Sequence, residues 1–350
     1  MKGTYILYKD HLSYWLRQLR KEADLIGPLR KDTGDVIYER VEQIHEIVTN
    51  GPTLLPSIKE FFLPQWEIMF FQTNNTVKTP LEDRKRVIFG ARSCDVSALN
   101  ILDRFFLEGL KDPFYEKRRK NTLIISITCK DPEETCFCNS LGTGPYLPSG
   151  YDIQLTDLTD RYLVEIDTNK GKRAVSLYRF LFHRPKNQDY EEQFEIQLSA
   201  KARFQKNISL EKARNVIQEG LSEEFWQAIS ERCIRCGGCV FQCPLCSCFT
   251  VVNRNYGDHI ERARLWDACL FKGFTILAGK HYPYPEQVQR TKRWFYHKLL
   301  YYPETLGTFG CVGCGRCTKA CPTKIDMASV VMKIKSKDEA EHEKQPIPSL

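Results

Sequence analysis

Apolar residues first recur at helical spacing where Leu12, Trp15, Leu16 and Leu19 fall at i, i+3, i+4 and i+7, behind Asp10 as a cap. That predicts an amphipathic helix over 10–22. The apolar and aromatic runs of 53–72, broken at Pro56 and Pro64, read as short strands packed on a core. Residues 86–89 read as a buried strand, 90–94 as a turn, 95–106 as a helix with Asp95 near its cap, and 112–119 as further helix. A second strand over 122–128 ends at Cys129. The order strand, helix, strand predicts a parallel pair joined by a right-handed crossover. Over 151–175 the pattern alternates, with polar turns at 157–160 and 169–172, as in a hairpin. Residues 184–222 are charged and weakly periodic, which suggests a helical connector. Ser222 then caps a short helix through Phe225, Trp226 and Ile229. The stretches 262–270 and 287–301 look helical, and from about Ser336 the chain is charged and then proline-bearing, as a mobile tail would be.

One cysteine spelling occurs twice in this pattern. Cys233, Cys236, Cys239 and Cys243 precede Pro244, and Cys311, Cys314, Cys317 and Cys321 precede Pro322. Each run reads CxxCxxCxxxCP, in which three thiolates hold three irons of a cubane while the fourth reaches the partner cluster. Crossed ligation therefore assigns Cys233, Cys236 and Cys239 with Cys321 to one [4Fe–4S] cluster, and Cys311, Cys314 and Cys317 with Cys243 to another. Each proline ends the turn after a ligand, because it lacks an N–H and restricts the preceding residue. Zinc needs only four ligands and usually sets its CxxC pairs apart, so two full runs argue against it. The 67 residues between Cys243 and Cys311 exceed what a compact ferredoxin repeat would hold. The expected fold class is therefore α+β: a mixed α/β domain over 1–183, a helical connector over 184–221, an all-helical, ferredoxin-like two-cluster domain over 222–335, and a tail over 336–350.

Fifteen cysteines would suggest disulfides in a short secreted chain. At ligand spacing in a long chain they indicate metal and a reducing compartment. The opening MKGTYILYKDHLSYW has no apolar core before a small-residue cleavage site, and no apolar stretch approaches about 20 residues. A cytoplasmic protein without a membrane partner is expected. Lys plus Arg number 51 against 44 Asp plus Glu, a formal charge of +7. A four-thiolate [4Fe–4S]²⁺ cluster carries about −2, so several would offset most of that excess and leave nucleic acid little support as a partner. Arg235, Arg316 and Lys319, beside the ligands, are expected to favour the more negative, reduced state.

Seven cysteines lie outside the two runs. In the crossover arrangement Cys94 and Cys129 sit just past the carboxyl ends of neighbouring strands, where open α/β sheets hold ligands, and Cys136 and Cys138 follow closely. Beside a helix amino terminus the four could hold a third [4Fe–4S] cluster or remain buried thiols. Cys246, Cys248 and Cys269 could supply a further metal site, but three thiols need a fourth ligand that the sequence does not identify, so they read first as buried thiols near the clusters.

With these residues in view, the chain resembles the family of sulfhydrogenase beta subunits and anaerobic sulfite reductase A subunits. The likeness rests on GARSCDVSALNILDRFF at 90–106, Cys129 with CFC at 136–138, GYDIQLTD at 150–157, CIRCGGCVFQCPLCSCF at 233–249, RARLWDAC at 262–269, HK at 297–298 and GCVGCGRC at 310–317. At 278–285, AGKHYPYP departs from the family's AGGHxxR. The resemblance implies an electron relay between an FAD- and NAD(P)-binding flavoprotein and a separate catalytic subunit of sulfite reductase or sulfhydrogenase type. It also favours the third cluster, because Cys94, Cys129, Cys136 and Cys138 all fall in matching motifs, as do Cys246, Cys248 and Cys269.

The chain carries no GxGxxG after a strand, no Walker lysine loop and no HExxH, so it is expected to move electrons rather than transform a substrate. Two other classes are an enzyme subunit that reduces a sulfur compound at an open cluster position, and a scaffold braced by its clusters.

Overall fold

The computed structural model describes residues 3–49, 51 and 56–342. Ten strands lie before residue 184: β1 Gly3–Tyr8, β2 Asp24–Arg30, β3 Val36–Arg40, β4 Trp66–Thr73, β5 Thr76–Lys78, β6 Arg86–Ala91, β7 Thr122–Ile127, β8 Ile153–Leu158, β9 Arg161–Ile166 and β10 Phe182–His183. Two more follow much later, β11 Phe249–Asn255 and β12 Ile260–Trp266. Eight of the twelve form one mixed sheet in the order β10-β1-β9-β8-β7-β6-β2-β3. Its centre is parallel, with β2 beside β6, β6 beside β7 and β7 beside β8. The crossover expected between residues 86 and 128 is therefore present.

Helices cover both faces of this sheet. On one face the helix Lys9–Glu22 buries Leu12, Trp15, Leu16 and Leu19. Its amino-terminal boundary residue is Tyr8; Asp10 lies inside the first turn, where the helix dipole still favours a carboxylate. On the other face lie the helices Ser93–Leu107 and Pro113–Asn121, the second capped by Asp112, whose carboxylate accepts from Tyr115 N–H at 2.9 Å. Their core includes Cys94, Leu245, Val312 and Cys314, so the two cysteine runs pack directly into it.

Several sequence expectations need correction. Residues 53–55 lie outside the described residues, and 58–61 form a single 3-10 turn before one long strand, β4. Residues 169–172 are not a hairpin turn: Thr168 accepts from Gly171 N–H and opens the helix Asn169–Ser176. The 336–350 tail is helical as far as His342, within the helix Met327–His342, and 343–350 lie outside the described residues.

The largest correction concerns the all-helical cluster domain. Residues 262–270, expected as helix, lie mainly in β12, which pairs with β11 on one side and with β4 on the other. The resulting four-stranded sheet, β11-β12-β4-β5, joins residues 66–78 to residues 249–266. Arg264 makes this possible. Its buried guanidinium binds Glu67 on β4 and Asp112 at the helix cap, so an inward-facing charge is satisfied inside the sheet. The helical parts of the expectation hold at Glu223–Glu231, where Ser222 accepts from Phe225 N–H, and at Gln287–Tyr296, which continues as a π-turn over His297–Tyr301. Among the described residues no helix is long and apolar enough to cross a membrane.

Candidate metal centres

The twelve cysteines of the two runs and the crossover gather around three cavities. One is lined by Cys233, Cys236, Cys239 and Cys321, so the last cysteine of the second run closes the first run's loop. Another is lined by Cys311, Cys314, Cys317 and Cys243, the reciprocal exchange. The third, at the carboxyl ends of β6 and β7, is lined by Cys94, Cys129, Cys136 and Cys138. Among the described residues no three His, Cys, Asp or Glu side chains converge as the ligands of one ion would. Four cysteines around each cavity match the thiolate count of a [4Fe–4S] cluster.

Each loop is positioned by backbone contacts. Gly313 has φ +62°, and a Cβ there would meet backbone N of Cys138 at 2.6 Å, so only glycine lets the second run lie against the 136–138 loop. Phe137 N–H donates to Gly313 carbonyl oxygen at 2.8 Å, and Thr143 Oγ1–H donates to Val312 carbonyl oxygen at 2.8 Å. Phe137 lines the Cys243/Cys311 cavity while its neighbours Cys136 and Cys138 line the next one. The two sites share a wall.

Charge is distributed less simply than the sequence suggests. Arg316 is fully buried and pairs with fully buried Asp95 at 2.8 Å, its guanidinium 3.9 Å from Cys94 Sγ. Lys319 pairs with Glu133. Arg235 is exposed. Two of the three cations expected to draw electrons are thus offset by carboxylates. A buried cation that faces the thiols directly is instead Lys298, which donates to Cys243 Sγ at 3.4 Å and to Gly310 carbonyl oxygen at 2.8 Å. Burial opposes its charge, but the thiols of Cys243, Cys246 and Cys311 outweigh burial and hold its pKa well above the usual lysine value. Lys59, also buried, donates to the carbonyls of Cys246 and Phe241 at 2.9 and 3.2 Å.

Burial, followed by neighbouring thiols, pushes Cys239 up to about 12; burial likewise takes Cys311 to about 12, while Lys298 works against it. Burial also raises Cys94, Cys138 and Cys317. As free thiols these groups would stay protonated, and iron is the kind of partner that makes such thiolates stable. Trp294 supplies a second sign of fit. Its indole lines the Cys233 and Cys243 cavities and a further one, and its buried Nε1–H has no acceptor among the described residues. A cluster sulfide is the type of acceptor this donor lacks.

Sequence reasoning missed Trp294, Lys59 and the Asp95–Arg316 pair. The available signals were the HK dipeptide at 297–298 and the position of Asp95 next to Cys94; the contacts of Lys59 and of the Asp95–Arg316 pair join residues some 180 or more positions apart.

Comparison with known proteins supports iron–sulfur clusters in the segment that holds the two runs. Residues 232–325 match the 4Fe-4S dicluster domain family. The chain is 32% identical over 333 residues to sulfhydrogenase 2 subunit beta of Pyrococcus furiosus, covering 94% of this chain and 97% of that protein. An identity that spans both chains almost end to end, together with paired cysteine runs inside a matched two-cluster domain, places the chain in the family of sulfhydrogenase beta subunits.

Proposed function

We propose that the chain is an iron–sulfur electron relay with three [4Fe–4S] clusters, between a flavoprotein that takes electrons from a nicotinamide and a separate catalytic subunit. The ligand sets are Cys233, Cys236, Cys239 and Cys321; Cys311, Cys314, Cys317 and Cys243; and Cys94, Cys129, Cys136 and Cys138. One observation carries the reading: the three four-cysteine cavities adjoin in series, with the Cys243/Cys311 cavity in the middle. When bound, such clusters supply reversible one-electron carriers.

The chain's own residues do the rest. Phe137, Val312 and Met327 keep water from the middle site. Lys298 donates toward Cys243 and so favours the more negative state there. At one end the loop of Ile234, Arg235 and Cys236 is exposed, with Ile234 59% accessible. At the other, Cys129 lies partly open beside Lys130 and Asp131. Exposed residues at both ends of the series, Ile234 to Cys236 at one and Asp131 at the other, suit a relay with a different partner at each end. The sulfhydrogenase membership supports a multi-subunit setting for these partners.

The experiment is an anaerobic redox titration of the purified chain with and without a flavoprotein partner. Reversible one-electron steps, and nicotinamide oxidation only when flavoprotein is present, are expected. Stoichiometric NADH or NADPH binding by the single chain in calorimetry, or clusters inert across roughly −700 to +450 mV, would overturn the reading.

A further inference from the structure

Twelve cysteines serve the three sites; the remaining three share a cavity of their own. Cys246, Cys248 and Cys269 line a space of about 210 Å³ with His297, Lys298 and Tyr302. The three four-cysteine cavities measure about 50, 30 and 20 Å³. Phe105 and Phe249, 46% and 37% accessible, also line the larger space, so it reaches the surface.

The surrounding fold is built to hold these thiols. β11 begins immediately after Cys248 and β12 ends three residues before Cys269, and the pairing of Phe249 with Trp266 draws the two segments together. Asp267 N–H donates to Cys248 carbonyl oxygen at 3.0 Å. Lys59, 2% accessible, fixes the Cys246 carbonyl and stacks its ammonium over the Trp266 ring at 4.1 Å. The four-stranded sheet that breaks the expected helical pattern thus brings Cys248 and Cys269 to one place. Cys248 and Cys269 are in side-chain contact, and Cys246 is in contact with Cys243, a ligand of the middle site.

We propose that Cys246, Cys248 and Cys269 hold a fourth cluster of the [4Fe–4S] class, with His297 facing its remaining iron. Three soft thiolates and an imidazole form a recognised type of iron donor set. Each thiol gives up its proton as it binds iron, and the incoming iron and sulfide complete the balance. This inference goes beyond the relay and does not depend on its direction.

The test is iron and sulfide analysis of the full chain prepared anaerobically. About sixteen of each are expected, against about twelve for three clusters. Replacing Cys246 and Cys269 by serine should remove about four of each, and Cys94→Ser with Cys129→Ser should remove a separate four. An unchanged count in the Cys246/Cys269 variant overturns the proposal, as does one zinc per chain that is lost in that variant. If the variant does not fold, anaerobic alkylation of the native chain decides. Protection of all three thiols in a protein with sixteen irons supports the site. Their labelling, or a Cys248–Cys269 disulfide, overturns it. Loss of four irons only on replacing Cys246 and Cys269 would keep this site and remove the one at Cys94.

Discussion

The two CxxCxxCxxxCP runs are identical in spelling and opposite in setting. In the first, Ile234 is 59% accessible and Arg235 and Cys236 are exposed. In the second, Val312 is 2%, Cys314 8% and Arg316 0% accessible, with the loop pressed against residues 136–138. Spacing decides which thiolates cooperate. Whether the resulting centre meets a partner or passes electrons internally depends on what the rest of the chain lays over it.

Four experiments break or sharpen that contrast. The largest effect should come from Cys321→Ser, because the exchange makes a second-run residue close the first-run cavity. Spectroscopy is expected to find the exposed Cys233/Cys236/Cys239 centre lost; selective loss of the Cys311/Cys314/Cys317 centre would refute the exchange. Next is Arg316→Met, which strands buried Asp95 without its cation and is expected to cost about 3–5 kcal/mol in anaerobic denaturation. Adding Asp95→Asn should recover part of the loss, whereas Arg235→Ala should change stability by less than about 0.5 kcal/mol. Third, Gly313→Ala drives a Cβ into backbone at φ +62° and should cost roughly 3 kcal/mol. Gly237→Ala, at φ +75° against the movable rings of Phe271 and Phe241, should cost about half as much. Equal costs would mean the two loops are equally free. Smallest is Lys298→Met. Losing its charge and donor is expected to lower the middle centre's potential by on the order of 50 mV, with a smaller shift at the Cys233 centre, whose Cys239 feels the same charge without the hydrogen bond.

Local signals carried much of this into the sequence. The parallel crossover was legible because residues 86–89 and 122–128 are apolar runs on either side of an amphipathic helix. The Ser222 cap was legible because its chemistry is complete within four residues. The β11–β12 hairpin was not. Glu261 and Arg264 are charged yet buried, so the alternation that marks a strand is inverted at the positions that should display it. Only Glu67 and Asp112, far away in the chain, make an inward Arg264 tolerable. The two candidate sets of the CxxCxxCxxxCP runs were written in the spacing, while the set at Cys94 leaned on the family resemblance; Lys298 and Trp294 gain meaning only once helix Gln287–Tyr296 lies among the cavities.

The reciprocal exchange also sets a timetable for biosynthesis. The cavity begun by Cys233 stays open until Cys321 is made, and the loop of Cys136 and Cys138 lacks its lid until Gly313 arrives. On the crossed assignment proposed above, a cluster in the Cys233 cavity would gain its last ligand only after about nine tenths of the chain has left the ribosome, and a chain cut short of Cys321 would leave Cys233, Cys236 and Cys239 without it.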